Sequence, residues 1–338
     1  MDPNHVLQEI LSPLRLTHRQ FRGDADIQAY VDLNNTCDRA DDVDNVDTVE
    51  AACLWFATAD PADPILIESV DGKLVARGST DSRQLLTHEW LHDVEGRVHP
   101  AWRRKGIGRA VLRWLEVRAH EVAAGRTHER SNAPTILQAQ VRDQIIGKTA
   151  LFVSEGYRPT RYGYVMMRDL RESIPEVMPP LGIEIRPVRH NEMRQAWEAW
   201  RESFRDHFGY SESDWTDKHY EEFIAYPGLD PGLWRVAWAG DEVVGGCEII
   251  LGGEEDAILG VKRGWFDLIG IRRPWRRRGI ARAAITSSLT MLRNIGIDEG
   301  ALGVDALNPS HALPLYESLG FKVRKSTTIY QKKMERVQ

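Results

Sequence analysis

The feature that most constrains this 338-residue chain is an internal repeat, in which one order of strands, turns and helices occurs twice. In the first half, residues 13–16 read as an opening strand, followed by a helix that includes Ile27 and Val31. In the second half, residues 182–187 and the helical pattern at 196–200 repeat this beginning. The length agrees with two copies, because it suits two domains of about 150 residues each.

Matching hairpins follow the opening elements. Their turns lie at residues 71–72 and 240–241, where Asp-Gly and Gly-Asp pairs are typical of tight β-turns. Between the halves, residues 171–180 contain three prolines, which prevent a helix from continuing and predict a semi-rigid linker. We therefore predict an N-terminal tail at 1–12, a first domain at 13–170, a linker at 171–181 and a second domain at 182–338.

Composition and charge narrow the class of protein. With 42% hydrophobic and 28% charged residues the chain is expected to be globular, and its net charge of −6 argues against a nucleic-acid partner. Cys37, Cys53 and Cys247 lack the paired spacing of a zinc site, so we expect no metal and a reduced, cytoplasmic protein. The first 14 residues lack the apolar region of a signal peptide, and the sequence has no run that would span a bilayer, so no membrane partner is expected. Monomer and homodimer both stay open.

In each half a strand runs into a basic, glycine-containing loop and then into a helix. The loops lie at residues 103–108 and 276–281. Glycine lets the backbone approach an anion closely, and the N–H groups at the start of a helix point at the anion with the helix dipole behind them. The basic side chains can also meet a diphosphate. Neither loop has the spacing of a Walker loop or of a dinucleotide fingerprint, so nucleotide hydrolysis and nicotinamide binding are disfavoured.

These residues resemble the GNAT superfamily of acyl-CoA N-acyltransferases, in its tandem two-domain form, over nearly the whole chain. The first motif of that family, Arg/Gln-x-x-Gly-x-Gly/Ala, is matched once in each half. The second motif, which begins Asn-Pro and ends Gly-Phe, is matched near the C-terminus. The matching residues are Arg103, Gly106 and Gly108; Arg276, Gly279 and Ala281; and Asn308, Pro309, Ala312, Leu313, Leu315, Tyr316, Gly320 and Phe321.

The resemblance implies the fold and the coenzyme. Each half is expected to be an α/β domain with a mixed, twisted sheet, flanked by helices and splayed at its central strand to admit the pantetheine arm. The coenzyme is expected to be acetyl-CoA, with room for one in each domain. The expected contacts are Ile269, Ile271, Arg276, Arg277, Arg278, Gly279, Ile280, Ala281, Arg282 and Asn308 in the second half, and Val98, Arg103, Arg104, Lys105, Gly106, Ile107, Gly108 and Arg109 in the first.

Tyr316 is the expected catalytic acid. Acyl transfer from a thioester to an amine needs a proton for the departing thiolate, and the resemblance gives that role to Tyr316. When residues 156–157 are aligned with 320–321, Phe152 stands at the position of Tyr316, and phenylalanine has no proton to donate. The second half is therefore expected to catalyse, and the first to keep a coenzyme pocket without catalysis.

Asn308 and Tyr316 each have an alternative role, and Pro314 lies between them in the motif. Asn308 is expected to cap the helix, to hydrogen-bond the pantetheine, or both, and Gln144 stands at its position in the first half. Pro314 falls inside the predicted helix, where it is expected to remove a hydrogen bond and kink the helix. The alternative role for Tyr316 is that of an aromatic residue packed on the sheet.

The general base is less well defined. Trp265 occupies the position at which some relatives have a glutamate, so that position cannot serve here. Asp267 lies two residues on and therefore on the same strand face, and it is our candidate. The alternatives are Glu248, Glu254, Glu255 and a chain of water molecules, and Asp267 can equally be a strand residue paired with an arginine.

Acceptor recognition is expected in an aromatic segment after the first helix of the second half. Aromatic walls with nearby carboxylates suit a cationic or sugar-like amine, although helically spaced aromatic residues also form cores. The imidazole in this segment is either an acid–base partner or a polar loop residue. The candidate acceptor contacts are His207, Phe208, Tyr210 and Trp215.

The sequence thus predicts an N-acetyltransferase that acts on a primary amine of a small molecule or peptide. Direct attack of the amine in a ternary complex is expected, because the motif region has no cysteine to carry the acyl group. The alternative is a non-catalytic module that senses acyl-CoA at two sites. The intact motif around Tyr316 argues against that alternative.

Overall fold

The computed structural model describes residues 3–43, 45–58, 64–85, 89–125, 135–207, 210–226, 228–252, 254–307 and 312–334. The chain forms two compact units. The first contains the residues up to Thr160 together with those from Thr327 onward, and the second contains Arg161–Ser326.

The first unit is built on one mixed sheet. Its strands are β1 (Leu16–Gln20), β2 (Ile65–Ser69), β3 (Leu74–Gln84), β4 (Trp90–Val98), β5 (Thr135–Arg142) and the later part of β12 (Lys322–Lys333), in that spatial order. The β4–β5 pair is parallel and the other pairs are antiparallel. The helices are α1 (Pro3–Leu11), α2 (Asp24–Ala40), α3 (Val49–Thr58), α4 (Ile107–Gly125) and α5 (Ile146–Ser154).

The second unit repeats this plan. Its strands, in spatial order, are β6 (Arg158–Asp169), β11 (Glu299–Asp305), β10 (Arg263–Ile271), β9 (Glu242–Leu251), β8 (Arg235–Ala239) and β7 (Glu184–Arg186). The β10–β11 pair is parallel and the other pairs are antiparallel. The helices are α6 (Met193–Phe204), α7 (Asp217–Ile224), α8 (Glu254–Leu259), α9 (Ile280–Asn294) and α10 (Ala312–Ser318).

The last strand of each sequence half belongs to the other unit. Strand β6 ends the first half but pairs with β11, and β12 ends the second half but pairs with β5 over seven residues. The linear division at residues 171–181 therefore differs from the grouping in space. The sequence of a strand does not specify its partner strand, so the sequence pattern does not reveal the exchange.

The sheet of each unit opens at its central strand, as expected. The parallel ladder between β4 and β5 covers only residues 90–93, although both strands continue beyond it. In the second unit the ladder between β10 and β11 covers residues 263–266 and then stops. The backbone groups past these points are free to hydrogen-bond a ligand that enters the gap.

Two elements at the N-terminus differ from the sequence predictions. The predicted tail contains α1, whose Leu7 and Leu11 are buried in the core of the first unit because they recur at helical spacing. The opening strand begins at Leu16, since Pro13 lies in a short 3₁₀ turn that precedes it. Both hairpin turns, by contrast, lie at the predicted residues 71–72 and 240–241.

Candidate active site

The two basic loops share one backbone conformation. Arg104 and Arg277 both lie in the left-handed region, with φ values of 64° and 63°. Gly106 and Gly279 follow two residues later, with φ values of 85° and 84°. A non-glycine residue in this region is uncommon, and its occurrence at the same place in both units marks a loop shape that serves a function.

Each loop delivers free amides at the start of a helix. In α9 the hydrogen-bond ladder begins with the Ala283 N–H, which donates to the Gly279 carbonyl at 3.1 Å. The Ala110 N–H donates to the Gly106 carbonyl at 3.1 Å in α4. The preceding N–H groups lack an acceptor within the helix and point out of its N-terminus, which suits a diphosphate.

The isoleucines of the two loops are buried in the protein. Ile107 and Ile280 begin α4 and α9, and their side chains are 1% exposed. The coenzyme contacts expected of them are therefore limited to their amides.

The first arginine of the second loop holds the loop in place. The Arg276 Nε donates to the Ile271 carbonyl at 2.9 Å, and its Nη2 donates to the Ser203 carbonyl at 3.0 Å. Its Nη1 pairs with the Asp206 carboxylate at 2.8 Å, and Arg273 also pairs with Asp206. These contacts use three of the guanidinium donors, so Arg276 holds the loop in place, and its contact with the coenzyme stays a prediction.

The first loop is held in the same way. The Arg103 Nε donates to the Val98 carbonyl at 3.1 Å, and the guanidinium makes a two-pronged pair with the Asp41 carboxylate at 2.5 and 2.9 Å. Further along, Lys105 lies over the Trp102 ring at 4.5 Å and Arg278 over the Trp275 ring at 4.9 Å. The two loops therefore agree in side-chain packing as well as in backbone conformation.

A cavity of about 460 Å³ lies beside the loop of the first unit. It is lined by the loop, by the free end of β4 and by α5, and it is large enough for part of a coenzyme. Its lining includes Glu95, Arg97, Arg104, Gly106, Lys148 and Phe152.

Tyr316 lies in the core of the second unit, on α10. Its side chain is 6% exposed and packs edge-to-face on Phe321 at 6.1 Å. Burial, followed by the nearby Cys247 thiol, raises the pKa of Tyr316, so the hydroxyl keeps its proton at neutral pH. Pro314 lies two residues after the first described residue of α10, and the kink expected there stays a prediction.

Cys247 is a residue that the motif search overlooked. It lies on β9, fully buried in the same core cluster as Tyr316. Burial raises the pKa of the Cys247 thiol to about 12, so the nucleophilic thiolate is essentially absent at neutral pH. Its position leaves the expectation of direct amine attack in place.

The first unit has an apolar ring where the second has Tyr316. Phe152 is 3% exposed and packs on Tyr157 at 5.0 Å and on Tyr330 at 6.4 Å. Gln144, at the position of Asn308, donates to the Asp42 carbonyl at 2.8 Å. Asn308 itself lies outside the described residues.

A β-bulge places two carboxylates together in the second unit. Phe266 pairs with Ile249 and Ile269 pairs with Cys247, so the two residues between them on β10 face only Glu248 on β9. Asp267 is one of these two. Cys247 and Ile249 pack toward α9, so Glu248 points to the opposite face, on which α6 packs.

Glu248 is fully buried, and within the described part of the chain neither of its carboxylate oxygens has a hydrogen-bond partner. Burial, followed by the charge of Asp267, raises the pKa of Glu248 to about 9, so this group holds a proton at neutral pH. Partial desolvation also raises the pKa of Asp267, although solvent reaches its side chain. Glu248 therefore stays a neutral acid, and the solvent-exposed Asp267 is the carboxyl of the pair that ionises first.

At the corresponding place in the first unit, arginines of the same sheet neutralise the carboxylate of Glu95. In the register of β3 and β4, Ser79 stands opposite Glu95, as Glu248 stands opposite the bulge. Arg77, which is 2% exposed, donates to Glu95 at 2.9 Å, and Arg97 pairs with Glu95 at 3.3 Å. The second unit has Gly246 in place of Arg77, so its carboxylates lack this internal cation.

The predicted acceptor residues pack together beside α6. Trp215 lies 4.5 Å from the Trp197 ring and 6.2 Å from the Tyr210 ring, and Tyr210 is 7% exposed. His207 contacts the Phe204 ring at 4.4 Å; burial, followed by the charge of Arg276, lowers its pKa. Phe208 lies outside the described residues. Much of this aromatic surface is core, and acceptor contact by these residues stays a prediction.

Each unit has a mixed sheet that opens beside a helix N-terminus with free amides. This arrangement, present twice, is that of a tandem acyltransferase. The chain belongs to the acetyltransferase (GNAT) family, whose model matches residues 27–136 and 195–321. It is therefore an N-acetyltransferase.

Curated relatives and solved structures agree with this assignment. A mycothiol acetyltransferase of Geodermatophilus obscurus is 29% identical over 231 residues, which cover 66% of this chain and 68% of that protein. A mycothiol acetyltransferase of Thermomonospora curvata is 30% identical, with 69% and 71% covered. A GCN5-related N-acetyltransferase from Sphaerobacter thermophilus has a TM-score of 0.74 at 26% identity, with 95% and 96% covered. A tandem GNAT protein from the clavulanic acid biosynthesis pathway has a TM-score of 0.64 at 15% identity, with 96% and 100% covered.

Two further findings concern the described residues alone. None of their helices has the length and apolar character needed to cross a membrane. No group of three or more His, Cys, Asp or Glu side chains among them is arranged to hold a metal ion.

Proposed function

We propose that this enzyme transfers an acetyl group from acetyl-CoA to a primary amine of a small molecule or peptide, and that its second unit carries out the transfer. The observation that carries the proposal is the contrast at one position. Tyr316 offers a protonated hydroxyl in the second unit, whereas Phe152 offers none in the first.

The mechanism follows from the protonation states in the second unit. Asp267 is the carboxyl of the pair that ionises first, and as the carboxylate it takes the proton of the acceptor's ammonium group. Glu248 remains protonated, which keeps a second negative charge away from Asp267. Tyr316 gives its proton to the departing thiolate, and the second proton that the nitrogen loses as the amide forms restores the Tyr316 hydroxyl. The amides at the start of α9 hold the diphosphate, and the buried Cys247 stays a spectator.

The charges favour an acceptor that arrives as a cation. Glu248 and Asp267 have no counterpart to the Arg77 guanidinium that neutralises Glu95 in the first unit. An ammonium group beside the ionised Asp267 supplies that charge. A mycothiol-related amine, a sugar amine, a polyamine and a peptide N-terminus all carry such a group.

We further propose that the first unit binds a second coenzyme molecule without turning it over. Its loop has the same conformation as that of the second unit, and its cavity adjoins the loop.

The first experiment is acetyl-CoA turnover against a panel of these amines, followed by release of free thiol. Asp267→Asn should lower kcat by about a hundredfold or more, because it removes the base. Asp241→Asn, at the β8–β9 turn, is the matched control and should leave kcat near the wild-type value. Equal kcat for wild type and Asp267→Asn would remove Asp267 from the mechanism.

A further inference from the structure

One amine in the first unit has no part in the catalysis proposed above. Lys148 lies on α5, is half-buried and lines the 460 Å³ cavity together with the diphosphate-binding loop. Among the residues that the structure describes, its ammonium group makes no hydrogen bond or ion pair. A lysine with no partner in a cavity is costly, and such a group commonly has a chemical role.

The second unit has no amine at this place. Lys148 lies four residues before Phe152, and Ala312 lies four residues before Tyr316. The two halves therefore differ in two linked ways. The second has a proton donor and no internal amine, and the first has an internal amine and no proton donor.

The charged groups around Lys148 are Glu95, Arg97, Arg77 and Asp38. Glu95 accepts from Arg77 at 2.9 Å and pairs with Arg97 at 3.3 Å, so this carboxylate is already engaged by two guanidinium groups. Burial, followed by the charge of Arg97, lowers the pKa of Lys148 to about 7. A large fraction of the amine is therefore neutral and nucleophilic under ordinary conditions.

We propose that Lys148 accepts an acyl group from an acyl-CoA thioester held in the cavity of the first unit, so that this unit acylates itself. The proposal rests on that part of the proposed function which places a coenzyme in the first unit. The Lys148 Nζ attacks the thioester carbonyl carbon, a C–N bond forms and the C–S bond breaks. The nitrogen loses a proton and the thiolate takes one up, so the products are an N-acyl-lysine and free coenzyme A.

This chemistry accounts for Phe152. A single transfer per chain does not need the rate of a turnover enzyme, so the thiolate can leave without a tyrosine and take its proton from solvent. The amide that forms is uncharged and stays in the cavity beside Glu95, Arg97 and Arg77. The acylation state of the first unit then depends on the supply of acyl-CoA, and this unit does not catalyse repeated turnover.

The test uses the full chain, acetyl-CoA at pH 8 and peptide mass spectrometry, with no acceptor amine present. Because a larger fraction of its amine is neutral, Lys148 should be acetylated on the order of a hundredfold faster than an ordinary lysine. The exposed Lys73 and Lys218, with side chains 81% and 76% exposed, are the internal comparison. Excess coenzyme A should slow the reaction at Lys148 and leave the other two unchanged.

Lys148→Arg keeps the positive charge and should remove this modification while thermal unfolding shows a folded protein. Acetylation of Lys148 no faster than that of Lys73, or no response to excess coenzyme A, would overturn the proposal. Titration calorimetry with coenzyme A distinguishes failure of self-acylation from absence of the second coenzyme site. Two binding sites without acetylation of Lys148 refute self-acylation alone, and one binding site refutes the second coenzyme site as well.

Discussion

Replacement of Glu248 by glutamine should stabilise the protein increasingly as the pH rises. Glu248 is fully buried without a hydrogen-bond partner among the described residues, and its pKa is raised from the ordinary value of 4.5 to about 9. In the unfolded chain the same group ionises near its ordinary pKa. Between these two values the folded protein binds one proton more than the unfolded chain, so stability is lost as the pH rises toward 9.

The size of the effect follows from linkage. One bound proton changes the free energy of unfolding by about 1.4 kcal/mol per pH unit, so Glu248 should lower stability by about 2.7 kcal/mol between pH 6 and pH 8. Glutamine has nearly the same shape and does not titrate. Its variant should therefore lack this loss, and the advantage over wild type should grow by that amount across the interval.

The assay is urea unfolding at pH 6, 7 and 8 for wild type, Glu248→Gln and Glu242→Gln. Glu242 lies on the same strand with its side chain 49% exposed, so its variant should follow the wild-type curve. Histidines titrate in all three proteins and cancel in the differences. If the wild type and Glu248→Gln show the same dependence on pH within about 0.5 kcal/mol, Glu248 is ionised in the folded state and the reasoning is wrong.

Two further predictions test the fold and the coenzyme loop. Tyr330 is buried in the core of the first unit, so Tyr330→Ala should lower the free energy of unfolding by about 3–5 kcal/mol. Amide hydrogen exchange should become faster in α4 and β5. Faster exchange in β11 instead would contradict the strand exchange. Gly279 has a φ of 84° beside the free amides of α9, where an L side chain costs about 1–2 kcal/mol, so Gly279→Ala should raise KM for acetyl-CoA up to about tenfold. Gly296→Ala, with a φ of 82° at the other end of α9, should leave KM unchanged. Equal effects of the two variants on KM would show that the loop does not bind the coenzyme.

The sequence was sufficient to predict the plan of each unit. The turn residues, the two basic loops and the helical spacing are local features of the sequence, and the structure has the corresponding elements. The contrast between Tyr316 and Phe152 was equally visible, because a motif with fixed spacing aligns the two halves. The positive φ at Arg104 and Arg277 could not be predicted in this way, because a non-glycine residue seldom adopts that region.

The exchange of β6 and β12 could not be predicted in this way. A strand's alternation shows which side chains face a core, but not which neighbour completes the ladder. For the residues from Thr327 to Lys333, only the register with Arg142–Ile136 decides the partner. Strand pairing of this kind depends on contacts distant in sequence.

The carboxylate pair was only partly predictable. Asp267 was named from its place on the strand, and Glu248 stood among the alternatives. The bulge that brings them together adds one residue to β10 and shifts the phase of its alternation, which a regular period of two cannot represent. The aromatic segment shows the opposite problem, since Tyr210 and Trp215 pack with Trp197 although their composition suggested a pocket.

The most direct test of the central claim is acetyl-CoA turnover with a saturating amine for wild type, Tyr316→Phe and Phe152→Tyr. Removal of the Tyr316 hydroxyl should lower kcat by about a hundredfold or more, since it removes the proton for the departing thiolate, and Phe152→Tyr should leave kcat near the wild-type value. Unchanged kcat for Tyr316→Phe, or a large change for Phe152→Tyr, would contradict the assignment of catalysis to the second unit.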